Sequence, residues 1–322
     1  MSSYPLFTAM ALLCLVSCNE NKSASPLRIL KTQVLDRIPS GSGIVIKEDT
    51  GYIVGDDATG LYLLNLNNYQ QRKIPIATLN QDLYREPKSI KRDFECATFI
   101  TWNEKEYLLA FGSGSTPLRD NLLMIHTTEF TDCRILPLHH FYEGLRKLTR
   151  TKTEAWNIEG VTTELDFLYL LNRGNNMILN FRISELIQFL TDASSPFPTT
   201  SYHSVRLPFI KNHEAKLSGA CTLDSHHLLF SATVEDTPEW SKDGPVWGSF
   251  IGIYSLRQSI VTATYLLQDE TGAPLKEKIE SLSMVRNSPG EDLELLAVGD
   301  NDNGTTNLFH LILDKSVLKK LP

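Results

Sequence analysis

Apolar residues along this chain fall in short alternating runs of Val, Ile, Leu, Tyr and Phe, separated by polar turns. That period of two is the pattern of half-buried β-strands. Five runs open on an acidic residue or serine followed by a small residue: Ser42-Gly43, Glu95-Cys96, Glu159-Gly160, Ser218-Gly219 and Glu280-Ser281. Between the second members of these pairs the gaps are 53, 64, 59 and 62 residues. Recurrence at this spacing marks repeated supersecondary units, each too small to bury both of its faces alone. A second run follows each start and aligns on Asp56, Ser113, Arg173, Ala232 and Asp300. Third runs (LYLLNL, LLMIHT, MILNFRI, FIGIYSL, LFHLIL) and fourth runs (RKIPIA, CRILPL, SVRLPF, TATYLL) complete four antiparallel strands per unit. The pattern predicts an all-β, five-bladed β-propeller, with a degenerate sixth blade as the alternative. The early run LRILKTQVLDRI is predicted to pair with the C-terminal strands, completing the last blade and removing an open sheet edge. A single helix is predicted, Ser184 to Leu190, as an insert in the third blade. The pair His139-His140 is assigned to a fourth strand, and His226-His227 to a hairpin on the face away from the strand starts.

The beginning of the chain follows a different pattern. LFTAMALLCLV is an apolar stretch of 11 residues, too short to span a bilayer and suited to a signal-peptide core. It runs into Leu15-Val16-Ser17-Cys18, which resembles a bacterial lipobox, with Cys18 as the lipidated residue. The expected division is a signal peptide over 1–17, a lipidated cysteine and polar tether over 18–26, and one propeller domain over 27–322. This places the protein in a bacterial cell envelope, held to a membrane by lipid on the periplasmic or outer-surface side. An ordinary signal peptide or a buried N-terminal strand is the alternative, because the leading MSSYP lacks Lys and Arg. Cys96, Cys133 and Cys221 then remain, an odd number without CxxC or Cys/His spacing; Cys96 and Cys221, in innermost strands, are predicted to be free and buried. Net charge is −7, and the basic residues are scattered, which argues against nucleic acid as a partner.

In a propeller the first strand of each blade begins on the face where the second strand ends. The chemistry is therefore expected at one central mouth. The sequence gathers Glu95, Glu159 and Glu280 there from strand starts, and Asp56, Asp57, Asp300 and Asp302 from strand ends. Like charges at this density need compensation. Either a cation supplies it, or the basic residues just ahead of the strand starts do: Lys88, Lys91, Arg92, Lys152, Lys216, Lys276 and Lys278. For the first case the expected metal ligands are Asp56, Glu95, Glu159, Glu280 and Asp300, with Ca²⁺ as the ion because it accepts six to eight oxygens in flexible geometry. Asn172, Asn175, Asn301 and Asn303 offer further amide oxygens. Arg173, Asp57 and Asp302 are expected to bind a small ligand, Arg173 either orienting a carboxylate or phosphate or pairing with Glu159. DNDNG at 300–304 lacks the closing glutamate of an EF-hand loop and reads equally as turn chemistry. No GxSxG, HExxH, P-loop or dinucleotide-binding glycine pattern occurs. His213, in a loop entering a first strand, is the one candidate general base.

The stretches IVIKEDTGYIVGDDATGLYLL, DFECATFI, NIEGVTTELDFLYLLNRGN and KIESLSMV resemble the phytase-like esterase propellers and similar bacterial propeller lipoproteins. Calcium-dependent lactonase-type propellers are similar in ringing a central metal with acids and Asn, and that analogy implies Glu95, Glu159 and Asp300 as ligands. Two starts depart from the pattern with Ser in place of Glu, and Cys96 and Ser281 replace the motif glycine. The resemblance implies an envelope-anchored protein that binds a small ligand through a divalent cation, with metal-assisted hydrolysis of a phosphoester or ester as its catalytic form. The alternative is a non-catalytic scaffold that docks a protein or glycan through the 236–248 loop, which carries Trp240 and Trp247.

Overall fold

The computed structural model of the chain describes residues 25–76, 78–130, 132–237, 244–286, 291–301 and 303–321. Half of them lie in five four-stranded antiparallel sheets. The innermost strands are Gly41–Lys47, Phe94–Trp102, Ile158–Glu164, Lys216–Asp224 and Ser281–Arg286. Each packs on the next, and the last on the first, so the five blades close a ring. In blade five the outermost strand is Leu27–Leu35, which runs antiparallel to Thr306–Leu313 with Leu27 opposite Leu313 and Leu35 opposite Thr306. The N-terminal strand thus closes the last blade, as the sequence predicts. Among the described residues no helix is long and apolar enough to cross a membrane.

Apolar side chains sort into five clusters, one at each blade-to-blade interface. Alternation puts one set of each strand's side chains toward one neighbouring blade and the other set toward the opposite neighbour, so both sheet faces are buried. The hydrophobic core is thereby spread around the axis and leaves the axis itself to polar groups.

The recurrent acid-then-small motif has a structural cause. In four blades the register of the innermost pair slips at this point: Gly41 faces Gly55 but Gly43 faces Val54, so Ser42 has no opposite residue. Glu95 and Glu159 are skipped in the same way, and Ser218-Gly219 opposite Ser231. Each is a β-bulge, which turns the extra side chain out of the pleat. The small residue after it faces the adjacent wedge. A Cβ on Gly43 would lie 2.9 Å from the Cys96 Cα, and one on Gly219 2.5 Å from the Ser281 Cα. Gly219→Val is therefore expected to force blades four and five apart and cost at least about 1–3 kcal/mol, read as a lower urea midpoint at unchanged slope.

Two helices cover the seam between blades two and three. Helix α2, Ile183–Thr191, is the predicted insert. Helix α1, His139–Thr149, was not expected and corrects the strand assignment of His139-His140, which sit in its first turn. The fourth strand of that blade ends earlier, at Pro137. Phe141, Tyr142 and Leu145 of α1 are buried, a helical spacing, and Phe141 meets Phe181 edge-on at 5.1 Å. His226-His227 lie at the turn opposite the mouth, as expected, with His227 Nδ1 3.0 Å from the Asp224 carboxylate. Cys96, Cys133 and Cys221 are free; Cys96 is buried and the other two are partly buried.

Candidate binding site at the central mouth

The five first-strand starts and the second-strand ends open into one cavity of about 660 Å³. Asp56, Asp57, Glu95, Glu159, Arg173, Glu280 and Asp300, all expected there, line it. Asp302, Cys18, Trp240 and the whole 1–24 leader lie outside the described residues. His213 is not on the lining; its Nε2 stands 3.5 Å from Asp236 on a half-exposed hairpin. Asn301 lines the cavity, whereas Asn172 is fully buried and donates to Ala155 O and Asn175 Oδ1.

Two ion-pair networks occupy the walls. On the side of blades one and two, the Lys91 ammonium lies between Asp56 and Asp93, 2.7 Å from the Asp93 Oδ1. Arg119 reaches the other Asp93 oxygen at 3.0 Å, and Arg85 holds Asp57 at 2.7 Å. Asp93 adopts φ 61°, in the left-handed region that Asp tolerates better than most residues. Its backbone N–H donates to Asp56 O at 3.1 Å. On the side of blades three to five, Arg173 is 2% exposed, with Nη2 2.8 Å from Glu235 and Nη1 3.8 Å from Glu159. Lys278 pairs with Glu280 at 2.8 Å. Helix α1 supports this wall: the Tyr142 hydroxyl donates to Gly112 O at 2.7 Å and its ring packs on Trp156. The next residue, Asn157, then donates to Glu159 Oε1 at 2.6 Å.

Of the basic residues expected to compensate the acids, Lys91 and Lys278 do so directly, while Lys88 and Lys276 line the cavity without an ion pair among the described residues. Lys216 instead pairs with Glu214. The serine starts serve the ring: Ser42 Oγ donates to Phe94 O at 2.6 Å and Ser218 Oγ to Ile279 O at 2.5 Å, each bridging to the next blade. Sequence reasoning missed Asp93, Glu235, Arg85 and Arg119. The second strand of blade four continues to Glu235, so that residue, three beyond the aligned Ala232, reaches the mouth.

Several buried polar atoms here lack a hydrogen bond among the described residues. Asp56 Oδ1, Asp57 Oδ1 and Arg173 Nη1 are buried without a hydrogen bond. Glu95 makes no hydrogen bond or ion pair among the described residues. Burial drives its carboxyl well above the ordinary value, and Asp93, Glu159 and Asp56 add to the shift against the pull of Lys91. Burial also pushes Glu280 up to about 8, opposed by Lys278, and Asp56 up to about 6, opposed by Lys91. For Arg173, burial works against the charge, but Glu159, Glu235 and Glu280 overcome it and hold the guanidinium above its usual range.

These shifts fix the sign of a pH effect. A carboxyl whose folded pKa exceeds its unfolded value contributes stability below the unfolded pKa and loses it as pH rises through the folded one. Asp56 and Glu280 place that loss between about pH 4 and pH 8, with upper bounds of about 3 and about 5 kcal/mol respectively at 1.36 kcal/mol per unit. Stability to urea is expected to fall steadily from pH 5 to pH 8.5, and more shallowly in Glu280→Gln. A rise over that range would contradict the assignment.

The family model described as a family of unknown function (DUF6929) matches residues 37–313. No curated protein matches the sequence. Among solved structures, the glutaminyl cyclase of Myxococcus xanthus is similar over 89% of this chain and 96% of that one, at 10% identity and a TM-score of 0.50. A luciferin-regenerating enzyme is similar over 87% and 94%, at 11% identity and a TM-score of 0.43. The hydrazine synthase of Kuenenia stuttgartiensis follows at 9% identity and a TM-score of 0.41; 87% of this chain covers 64% of that one. At these identities the likeness concerns the fold alone. The propeller is supported, and the narrower phytase-like esterase resemblance is not.

Proposed function

The chain belongs to the DUF6929 family, and from the geometry of its mouth we propose that it binds a small polar ligand there, held directly by side chains. The observation that carries this reading is a cavity of about 660 Å³ walled by charged side chains, among them Glu95, which makes no hydrogen bond or ion pair among the described residues. A concave polar site of this size, with converging charged groups, is the usual form of a small-molecule site. Asp57 and Arg173 are each under 10% exposed and ion-paired, so their orientation is set by the fold.

The competing reading is a divalent cation. Ligand oxygens of Asp56, Asp93 and Glu95 lie within 4.8 Å of one another. Against it, three groups fall short of the six to eight oxygens Ca²⁺ takes, and the Lys91 ammonium already bridges two of them. Releasing Lys91 would leave a buried charge without its partners. The hydrolase expectation rests on that cation and shares its difficulty. The scaffold alternative has less support: the Trp247 ring is covered by the Lys211 ammonium, 3.2 Å from its centroid.

Thermal melting against amines, sugars, amino acids and CaCl₂ separates these readings, since a ligand of the folded state raises Tm by mass action. At least one organic member is expected to raise Tm, and less so in Asp57→Asn. A rise with CaCl₂ alone, abolished by chelator, would favour the cation. The proposed envelope anchor rests on Leu15 to Cys18. Metabolic labelling with a radioactive fatty acid is expected to mark the full chain and to be lost in Cys18→Ala.

A further inference from the structure

The path of the chain fixes which face of the propeller its N-terminal segment leaves from. Each innermost strand starts at the mouth, so the turns that follow it, such as Glu48-Asp49 and Asn103-Glu104, lie on the opposite face. The outer strand of blade five begins on that opposite face, where Leu27 pairs with Leu313, and runs toward Ser40 on the cavity lining. Leu27 is 2% exposed and Pro26 O accepts from Asp314 N at 2.8 Å, so the chain is held to the blade as far as this edge. Cys18 stands nine residues before Leu27. That length reaches about 30 Å fully drawn out and averages about 15–18 Å as a flexible coil. The blade is about 24 Å tall, from the eight residues of Thr306–Leu313 at about 3.4 Å each. A lipid on Cys18 would hold the far face near a bilayer with slack in the tether. With the mouth toward the bilayer, the tether would instead run nearly straight down the side of blade five.

A second observation lies on the same far face. Leu165, in the turn between Ile158–Glu164 and Phe167–Asn172, is 84% exposed at φ 52°. This is a left-handed position where Gly, Asn or Asp is usual. A bulky apolar side chain there strains the backbone and packs on little of the fold, a local rule broken in favour of an apolar partner outside the chain. Lys315 and Lys319 are exposed just after Leu313, and Lys315 N and the Arg28 guanidinium both donate to Asp292. Glu48, Asp49 and Asp166 share the face, so the acyl chain and not charge carries the attachment.

We propose that the face opposite the mouth, with Leu165 and the Leu27–Leu313 edge, lies against the lipid bilayer, and that the mouth opens away from it. This rests on the lipid-anchor reading of Cys18 and is independent of what the mouth binds. The ligand of the mouth then arrives from solution, and the headgroups of the carrying membrane stay one blade height out of its reach.

The full chain, made in a lipoprotein-processing bacterium and reconstituted into phosphatidylcholine–phosphatidylglycerol vesicles that carry a headgroup nitroxide lipid, tests this. A fluorophore is placed on Ser225→Cys, in an exposed turn of the far face, or on Ser89→Cys, exposed beside the cavity-lining Lys88. Label taken up by Cys133 and Cys221 is measured on the parent chain and subtracted. The parent chain is expected to float with the vesicles and Cys18→Ala to stay behind. Fluorescence at Ser225→Cys should be quenched at least about two-fold more than at Ser89→Cys. Equal quenching at the two positions, or stronger quenching at Ser89→Cys, in a chain that floats would overturn the orientation and leave the anchor standing. A parent chain that does not float, or that floats equally well as Cys18→Ala, would overturn the anchor reading and the orientation with it.

Discussion

Replacing Arg173 by Met is expected to destabilise the protein by about 3–5 kcal/mol at pH 8, the cost of leaving a buried charge unpaired. Arg173 is the shared partner of Glu235 at 2.8 Å and Glu159 at 3.8 Å, and it also lowers the cost of ionising Glu280. Without it, Lys278 is the one close cation left to these glutamates among the described residues. The loss should shrink at pH 5, where the Glu280 carboxyl, pushed up to about 8 in the native fold, holds its proton. Adding Glu235→Gln should return part of the loss, because residues in one ion-pair network couple by about 0.5–3 kcal/mol. Urea unfolding of the two single variants and the double variant at both pH values checks this. Additive losses would mean that the pair contributes nothing to stability.

Deleting residues 25–36 is expected to be more damaging still. The strand Leu27–Leu35 is the whole outer strand of blade five, hydrogen-bonded along Thr306–Leu313 with one irregularity between Ile29 and Lys31. Leu27 is buried in the cluster between blades four and five, and Leu35 in the cluster between blades five and one. Burial of two such side chains is worth about 1.5–3 kcal/mol each. Their loss, with an unpaired strand edge, approaches the 5–15 kcal/mol that typically holds a domain together. The truncated chain should be aggregated or strongly destabilised. The peptide 25–36 supplied in excess should restore part of the native signal. A truncated protein that melts within a few degrees of the full one would show that the ring does not depend on this closure.

The same physical constraint explains what was legible in the sequence. In four blades the motif is a bulge that aims one side chain at the axis and clears room for the next wedge, and in the fifth Glu280 precedes the first strand at the same point, so the motif recurs once per blade. It therefore placed Glu95, Glu159 and Glu280 correctly from spacing alone. Residues that reach the mouth from irregular segments have no such phase. Arg85 arrives from the connection between blades one and two, Arg119 from the short turn Pro117–Arg119, and Asp93 from a left-handed residue two before Glu95. Glu235 was hidden because its strand is longer than the aligned repeat. Helix α1 was missed because its apolar residues follow directly on the strand Cys133–Pro137, and the change from period two to helical spacing occurs within two residues. The acids were visible, but the cations that compensate them were only partly so, and the pairing decides the chemistry. Lys91, which the sequence shows merely as one of several nearby bases, stands where a metal was expected.

The most direct measurement is a high-resolution crystal structure of the protein soaked with whichever organic compound raises its Tm most. The account predicts density for a small polar molecule in the mouth, in contact with Glu95, while Lys91 keeps both Asp56 and Asp93. A mouth filled by its own side chains, with Arg173 Nη1, Asp56 Oδ1 and Asp57 Oδ1 paired to other protein groups, would contradict it.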